Sequence, residues 1–190
     1  MLSLILVLSS IVTFHLTIYF SSSCDFSDDN WMSAYKKSIQ NYTITCLFSL
    51  FLDVPTISYH YSQIVLFIPQ MILSDFIFYF SHRLFHTKYL YSIHKQHHIW
   101  KSPVSSSFLD CNIIEHLTVN VTTVVIPLLV FNVSYIQSII WVIMSTVSSI
   151  TGHISSYDNN QSHVLHHRHS NCNYGAGGFY IIDRLLGTYR

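Results

Sequence analysis

Long apolar runs alternate with short polar ones along this chain of 190 residues. Residues 2–20 are nineteen positions without a formal charge, enough for a helix to cross a bilayer. A cleaved signal peptide would carry a basic leader, which is missing here, and 21–24 is a weak cleavage site. The run therefore reads as a retained membrane helix. Residues 24–37 are polar, with Asp25, Asp28, Asp29, Lys36 and Lys37, and are expected in water or at the interface. Residues 39–61 turn apolar again but are broken by Asp53 and Pro55, so a span and a re-entrant dip both stay open. Residues 62–80 make a better span, with Pro69 expected to kink it.

The next polar stretch, 82–101, holds Arg83, Lys88, Lys95 and Lys101 and no acid, which places it in the cytosol by the positive-inside rule. Two further apolar runs, 110–131 and 135–151, are joined by a very short loop at 132–134. They predict a membrane hairpin that returns the polar tail, 153–190, to the side that holds 82–101. Within that tail 171–178 is rich in turn formers, and 179–186 is amphipathic enough to lie on the interface. The expected fold is an all-α integral membrane protein with about four transmembrane helices and a cytosolic, histidine-rich helical cap.

Composition supports that reading: 50% of residues are hydrophobic and only 9% charged. Zero net charge, with histidine neutral, argues against a nucleic-acid partner. The four cysteines, Cys24, Cys46, Cys111 and Cys172, show no C-x-x-C spacing and read as free thiols.

The chemistry lies in the histidines. Five of them fall between His82 and His98, first as H-x-x-x-H (His82, His86) and then as H-x-x-H-H (His94, His97, His98). The second form recurs at His163, His166 and His167. Chance would give about 0.06 copies of H-x-x-H-H at this histidine frequency, so two copies carry meaning within the false-positive risk of any motif. Residues three and four apart share a helix face, so each group can reach a metal from one helix. A straight helix would hold His82 and His98 roughly 24 Å apart. A shared site therefore requires a bend within 87–93, and the hairpin brings the second cluster and His153 to the same face. His15 and His60, standing alone, read as ordinary polar residues. Asp75 sits seven residues before His82, on the same face of a continuing helix, and is expected to orient a ligand imidazole as a proton acceptor.

Nine clustered imidazoles exceed the three or four protein ligands of one zinc site and fit two metals. Imidazole suits iron, zinc, copper and nickel alike. No H-E-x-x-H, Ser-His-Asp arrangement or glycine-rich phosphate loop competes. Two readings follow: a membrane oxygenase, or a histidine-rich membrane protein that binds or transports metal without oxygen chemistry. A bis-histidine haem protein fits less well, because most of these histidines sit at the membrane edge.

The pieces D-F-I-F-Y-F-S-H-R-L-F-H (75–86), L-Y-S-I-H-K-Q-H-H (90–98), G-H (152–153), H-V-L-H-H-R-H-S-N-C-N-Y-G (163–175) and D-R-L-L-G-T (183–188) together resemble the fatty acid hydroxylase superfamily, also called the sterol desaturase family. The resemblance divides the chain into an N-terminal membrane region, 1–71, and a hydroxylase-like domain with three histidine boxes, 72–190. It implies an enzyme of the endoplasmic reticulum that hydroxylates or desaturates a sterol or fatty acyl lipid with O₂. It implies two iron ions, and electrons from a donor such as a cytochrome b5 or a reductase. By the same resemblance His82, His86, His94, His97, His98, His153, His163, His166 and His167 match metal-ligand positions. His169 matches a less uniform position, as ligand or orienter, and His116 matches none. Some relatives carry a His-Pro pair where this chain has Asn112 and Ile113, a difference of subfamily.

Overall fold

A computed structural model of the chain describes residues 2–21, 24–51, 61–155, 162–175 and 180–190. Asp53, Pro55, His60 and Phe179, and with them the end of the 39–61 run and part of 171–178, lie outside the described residues. Among those described, the chain is helical without strands. Helices α1 (Leu2–Tyr19), α2 (Asp29–Phe51) and α3 (Phe67–Phe85) come first. Short α4 (Tyr91–His94) and α5 (Ile113–Glu115) follow, then α6 (Thr122–Phe131), α7 (Tyr135–Gly152), α8 (Ser162–Arg168) and α9 (Ile181–Leu186).

Three helical stretches are long and apolar enough to cross a membrane: Gln63–Phe85, Ile113–Phe131 and Tyr135–Gly152. A shorter apolar helix, Ile5–Tyr19, stands beside them. The chain is a helical membrane protein, and α3 shows the inverted pattern that lipid demands. Ile68, Ile72, Phe76, Phe80 and Leu84, four residues apart, form an exposed apolar stripe, while Gln70, Asp75, Tyr79 and His82 are buried on the other side. Exposed apolar residues cost nothing against hydrocarbon, whereas polar groups there must find partners inside the protein. The Gln70 carbonyl oxygen does so by accepting a hydrogen bond from Gln137 Nε2 of α7 (2.9 Å).

One element differs from the expectation. Pro69 does not kink a helix; it lies in the first turn of α3, where the missing N–H has no intrahelical acceptor to lose, after a 3₁₀ segment at Tyr61–Leu66. The polar stretch after residue 24 keeps Asp25, Asp28, Asp29 and Lys36 exposed. It enters α2, which packs under a 3₁₀ turn at Ser105–Leu109. Ser38 Oγ donates to Ser106 O (2.6 Å), and Asn41 Nδ2 donates to Leu109 O (2.9 Å) and Cys111 O (3.0 Å), so its polar side chains satisfy turn carbonyls. Phe14, Ile18, Trp31, Phe108, Leu109 and Ile150 close the core around this contact. His15 is exposed and bonds the Tyr35 hydroxyl (3.0 Å). All four cysteines are free.

The hairpin forms as its loop predicts. Asn132 adopts the left-handed conformation (φ 46°) that ends α6, and the Ser134 side chain accepts Gln137 N–H to start α7. The bend forms as well. His86 caps α3, Thr87 N–H bonds Leu84 O, and Tyr91 N–H bonds Thr87 O, so the chain reverses between His86 and Tyr91.

Candidate metal centre

The reversal after α3, the end of α7 and the short α8 meet at one end of the membrane helices, and nine imidazoles converge there in two groups. His82, His86, His94, His98 and His166 form one; His97, His153, His163 and His167 form the other. Within each group the ligand atoms lie within 4.8 Å of one another. The division does not follow the sequence motifs. Each H-x-x-H-H gives its i and i+4 histidines to one group and its middle histidine to the other, so His97 and His166 cross over. Because His97–His98 and His166–His167 are sequence neighbours, the two groups lie side by side.

The Nε2 atoms point inward. In the first group the separations are 3.1 Å for His82–His94, 3.4 Å for His86–His82, 3.0 Å for His94–His86, 3.1 Å for His86–His166 and 3.1 Å for His166–His98. In the second they are 3.2 Å for His153–His97 and 3.1 Å for His163–His153. Two imidazoles on one ion at bonds of about 2.1 Å, set at octahedral or tetrahedral angles, would stand about 3.0 to 3.4 Å apart.

The outer nitrogens explain why. His82 Nδ1 donates to Tyr174 O (2.9 Å), His153 Nδ1 to Ser149 O (2.7 Å) and His166 Nδ1 to Cys172 O (2.6 Å). Each carbonyl can only accept, so it holds the proton on Nδ1 and turns the Nε2 lone pair inward. His94 Nδ1 lies 2.8 Å from Glu115 Oε1, close but angled off the ring N–H direction. An inward lone pair this close to its neighbours is satisfied by an N–H from one of them or by a cation among them. Both nitrogens of His167 and Nδ1 of His97 are buried without a hydrogen-bond partner, and a metal would satisfy the inward ones. The donor set therefore fits two metal ions.

Burial also keeps the cap histidines neutral. It lowers His86 to a pKa of about 2, helped by the charges that His82 and His98 would carry, His98 to about 3 and His153 to about 4. His94, His97, His163, His166 and His167 are likewise held low, by burial first and by the neighbouring imidazoles second. Protons thus compete weakly for the ligand atoms near neutral pH. A shallow, open surface depression lined by His86, Lys88, Tyr91, Ser170 and Asn171 borders the first group at His86.

Two sequence expectations change, those for Asp75 and His169, while His116 stays apart as expected. Asp75 is buried, but the acceptor for His82 Nδ1 is Tyr174 O; Asp75 Oδ2 instead accepts Ile182 N–H (3.0 Å) at the start of α9. Seven residues return to the same helix face but stand about 10 Å apart along the axis, too far for two short side chains to meet. His169 is exposed beyond α8 and joins neither group. His116 is buried in a π-helical turn, His116–Val121, with Nε2 2.6 Å from Thr45 Oγ1, away from both groups. The carboxylate that does face a clustered histidine is Glu115. The sequence marks it too, as an acid inside an apolar run.

A family model described as fatty acid hydroxylase matches residues 66–188. The human fatty acid hydroxylase domain-containing protein 2 is 32% identical over 142 residues, covering 72% of this chain and 41% of its own. A Delta(7)-sterol 5(6)-desaturase from Gibberella zeae is 27% identical over 146 residues (73% and 40%). Sphinganine C4-monooxygenase 1 from Arabidopsis thaliana is 29% identical over 138 residues (65% and 53%). The chain spans about half the length of these curated relatives. No solved structure matches it. With all nine converging histidines inside the matched residues, the chain belongs to the fatty acid hydroxylase family.

Proposed function

We propose that the protein is a di-iron lipid oxygenase of the endoplasmic reticulum membrane that hydroxylates or desaturates a sterol or fatty acyl substrate, its histidine groups facing the cytosol. The observation that carries the reading is the pair of converging imidazole groups at the end of apolar, lipid-facing helices. His82, His86, His94, His98 and His166 would hold one iron, and His97, His153, His163 and His167 the other. Bound iron supplies activation of O₂ for attack on a lipid C–H bond, with electrons from a donor such as cytochrome b5 or a reductase. The protein fixes the ligands. The Tyr174, Ser149 and Cys172 carbonyls hold three imidazoles in the Nδ1–H tautomer, and burial excludes protons from the Nε2 atoms. Because every ligand is a neutral nitrogen, the ion pair keeps more positive charge than in carboxylate-rich di-iron bundles.

The names of the relatives, a sterol desaturase and a sphinganine monooxygenase, support a lipid substrate and an oxidative reaction. The test is metal content by mass spectrometry on protein purified in mild detergent, followed by lipid analysis of cells expressing it. About two irons per chain, with a lipid product lost in His86→Ala, His97→Ala and His166→Ala while the protein still inserts, is expected. Zinc or copper with little iron after iron reconstitution would replace the oxygenase with a metal-binding or transport protein.

A further inference from the structure

The Asp183 carboxylate is 0% exposed. Oδ1 accepts Tyr174 N–H (2.9 Å) and the Thr188 hydroxyl (2.7 Å), and Oδ2 accepts Gly175 N–H (2.6 Å). Gly175 N–H and Tyr174 C=O belong to the same peptide unit, and that carbonyl accepts His82 Nδ1–H at 2.9 Å. One peptide therefore joins a buried carboxylate on one side to an imidazole of the five-histidine group on the other. We propose that Asp183 is a positioning residue for His82, acting through the Tyr174–Gly175 peptide. The inference rests on the metal-centre reading above.

The physics is that of a carboxylate–histidine–metal triad with a peptide inserted. A hydrogen bond to a carboxylate is among the strong ones, and it polarises the peptide so that its carbonyl becomes a better acceptor. A better acceptor holds the His82 proton on Nδ1, fixes the ring and raises the basicity of Nε2 toward a metal. The local sequence is built for this contact. A Cβ on residue 175 would lie 2.5 Å from Asp75 Oδ1 and 2.7 Å from Asp183 Oδ2, so only glycine lets both carboxylates approach the backbone. Gly187, at φ +69°, ends α9 in the left-handed turn that brings Thr188 back onto Asp183, where Thr188 N–H bonds Asp183 O (2.9 Å). The N-Y-G and D-R-L-L-G-T pieces, separate in sequence, are two halves of one device.

The test compares Asp183→Asn with Thr188→Val. Asparagine keeps the volume, but its amide turns a donor toward a backbone N–H and loosens the peptide. Valine removes hydroxyl bonds from the same turn and leaves the peptide held. Cobalt(II) titration of the purified, metal-free protein in detergent, read by visible absorption, is expected to show two ions in the wild type. Asp183→Asn should bind one ion normally and the other about ten- to hundred-fold more weakly, the usual effect of removing an outer partner of a ligand. Thr188→Val should bind both as the wild type does. A second readout needs no metal: ¹⁵N-histidine NMR of the metal-free protein, with the His82 signal identified by its loss in His82→Gln. It should show the Nδ1–H tautomer in the wild type and in Thr188→Val, and a shift toward Nε2–H in Asp183→Asn. Wild-type cobalt affinity and an unchanged His82 tautomer in Asp183→Asn would overturn the assignment. So would equal loss of both ions and of helical circular dichroism in both variants, which marks a structural role. A wild type that takes up no cobalt defeats the metal-centre reading, and the tautomer then decides the inference by itself.

Discussion

The crossing of His97 and His166 between the groups gives a prediction that no reading by motifs would make. His166 belongs to the second H-x-x-H-H yet lies with His82, His86, His94 and His98, while His97 belongs to the first yet lies with His153, His163 and His167. His166→Ala should therefore empty the ion site of the early histidines, and His97→Ala that of the late ones. A four-ligand site is worth about 10–16 kcal/mol, so one ligand in four carries about 3 kcal/mol, on the order of 200-fold in affinity. One ligand in five carries about 2.5 kcal/mol, on the order of 60-fold, so His97→Ala should cost more than His166→Ala. The assay is metal stoichiometry and chelator competition on single and double variants. His82→Ala with His166→Ala should lose no further ion beyond either alone, because both act on one site. His82→Ala with His97→Ala should lose both. If instead His166→Ala proved redundant with His163→Ala and additive with His82→Ala, the grouping by geometry would be wrong.

Three further outcomes follow from other parts of the structure. Glu115→Gln should weaken metal binding at the five-histidine group about ten- to hundred-fold and leave the other unchanged, because among the described histidines of both groups it is His94 that faces that carboxylate; chelator competition reads it. Asn41→Leu removes the donor to Leu109 O and Cys111 O and should cost about 1–3 kcal/mol, seen as a lower melting temperature with unchanged metal content. In metal-free protein, His86, His98 and His153 titrate near 2, 3 and 4, below the unfolded value, so the unfolded chain binds more protons as pH falls. Stability is full above about pH 6.5 and declines below it, by about 1.4 kcal/mol per histidine at pH 5.5, or about 4 kcal/mol for the three. Melting temperatures that stay level between pH 7.5 and 5.5 would refute this.

Much of the architecture was legible because it follows from one-dimensional constraints. Helix length against bilayer thickness gives the spans, and the short loop at 132–134 leaves the chain no choice but to return. The bend after His86 was forced by distance alone, since a straight helix cannot bring His82 to His98. What escaped the sequence depends on three-dimensional detail. Periodicity says that His94, His97 and His98 project to neighbouring directions on a helix; it does not say that the middle one faces another ion. The acceptors that hold the imidazoles are mostly main-chain carbonyls, and every residue has one, so nothing in the sequence marks Tyr174, Ser149 or Cys172. Asp75 shares the angular face of His82, but the axial rise between them keeps the two side chains apart.

The tautomers bind these observations into one argument. A neutral imidazole has one proton and one lone pair, so an acceptor at Nδ1 dictates a bare Nε2. His82 has a carbonyl at Nδ1 and His94 a carboxylate oxygen nearby, yet their Nε2 atoms lie 3.1 Å apart. With its proton on Nδ1, His82 cannot donate to His94, and burial prevents a shared proton from adding a stable charge. His166 repeats the pattern against His86 and His98. A neutral imidazole N–H can serve one of these contacts at a time, whereas a cation among the nitrogens serves every contact in its group at once. In the proposed centre the backbone carbonyls that look like incidental contacts turn the imidazoles toward the metal, and the end of α7 and the loop after α8 that present them belong to the chemistry as much as the histidines do.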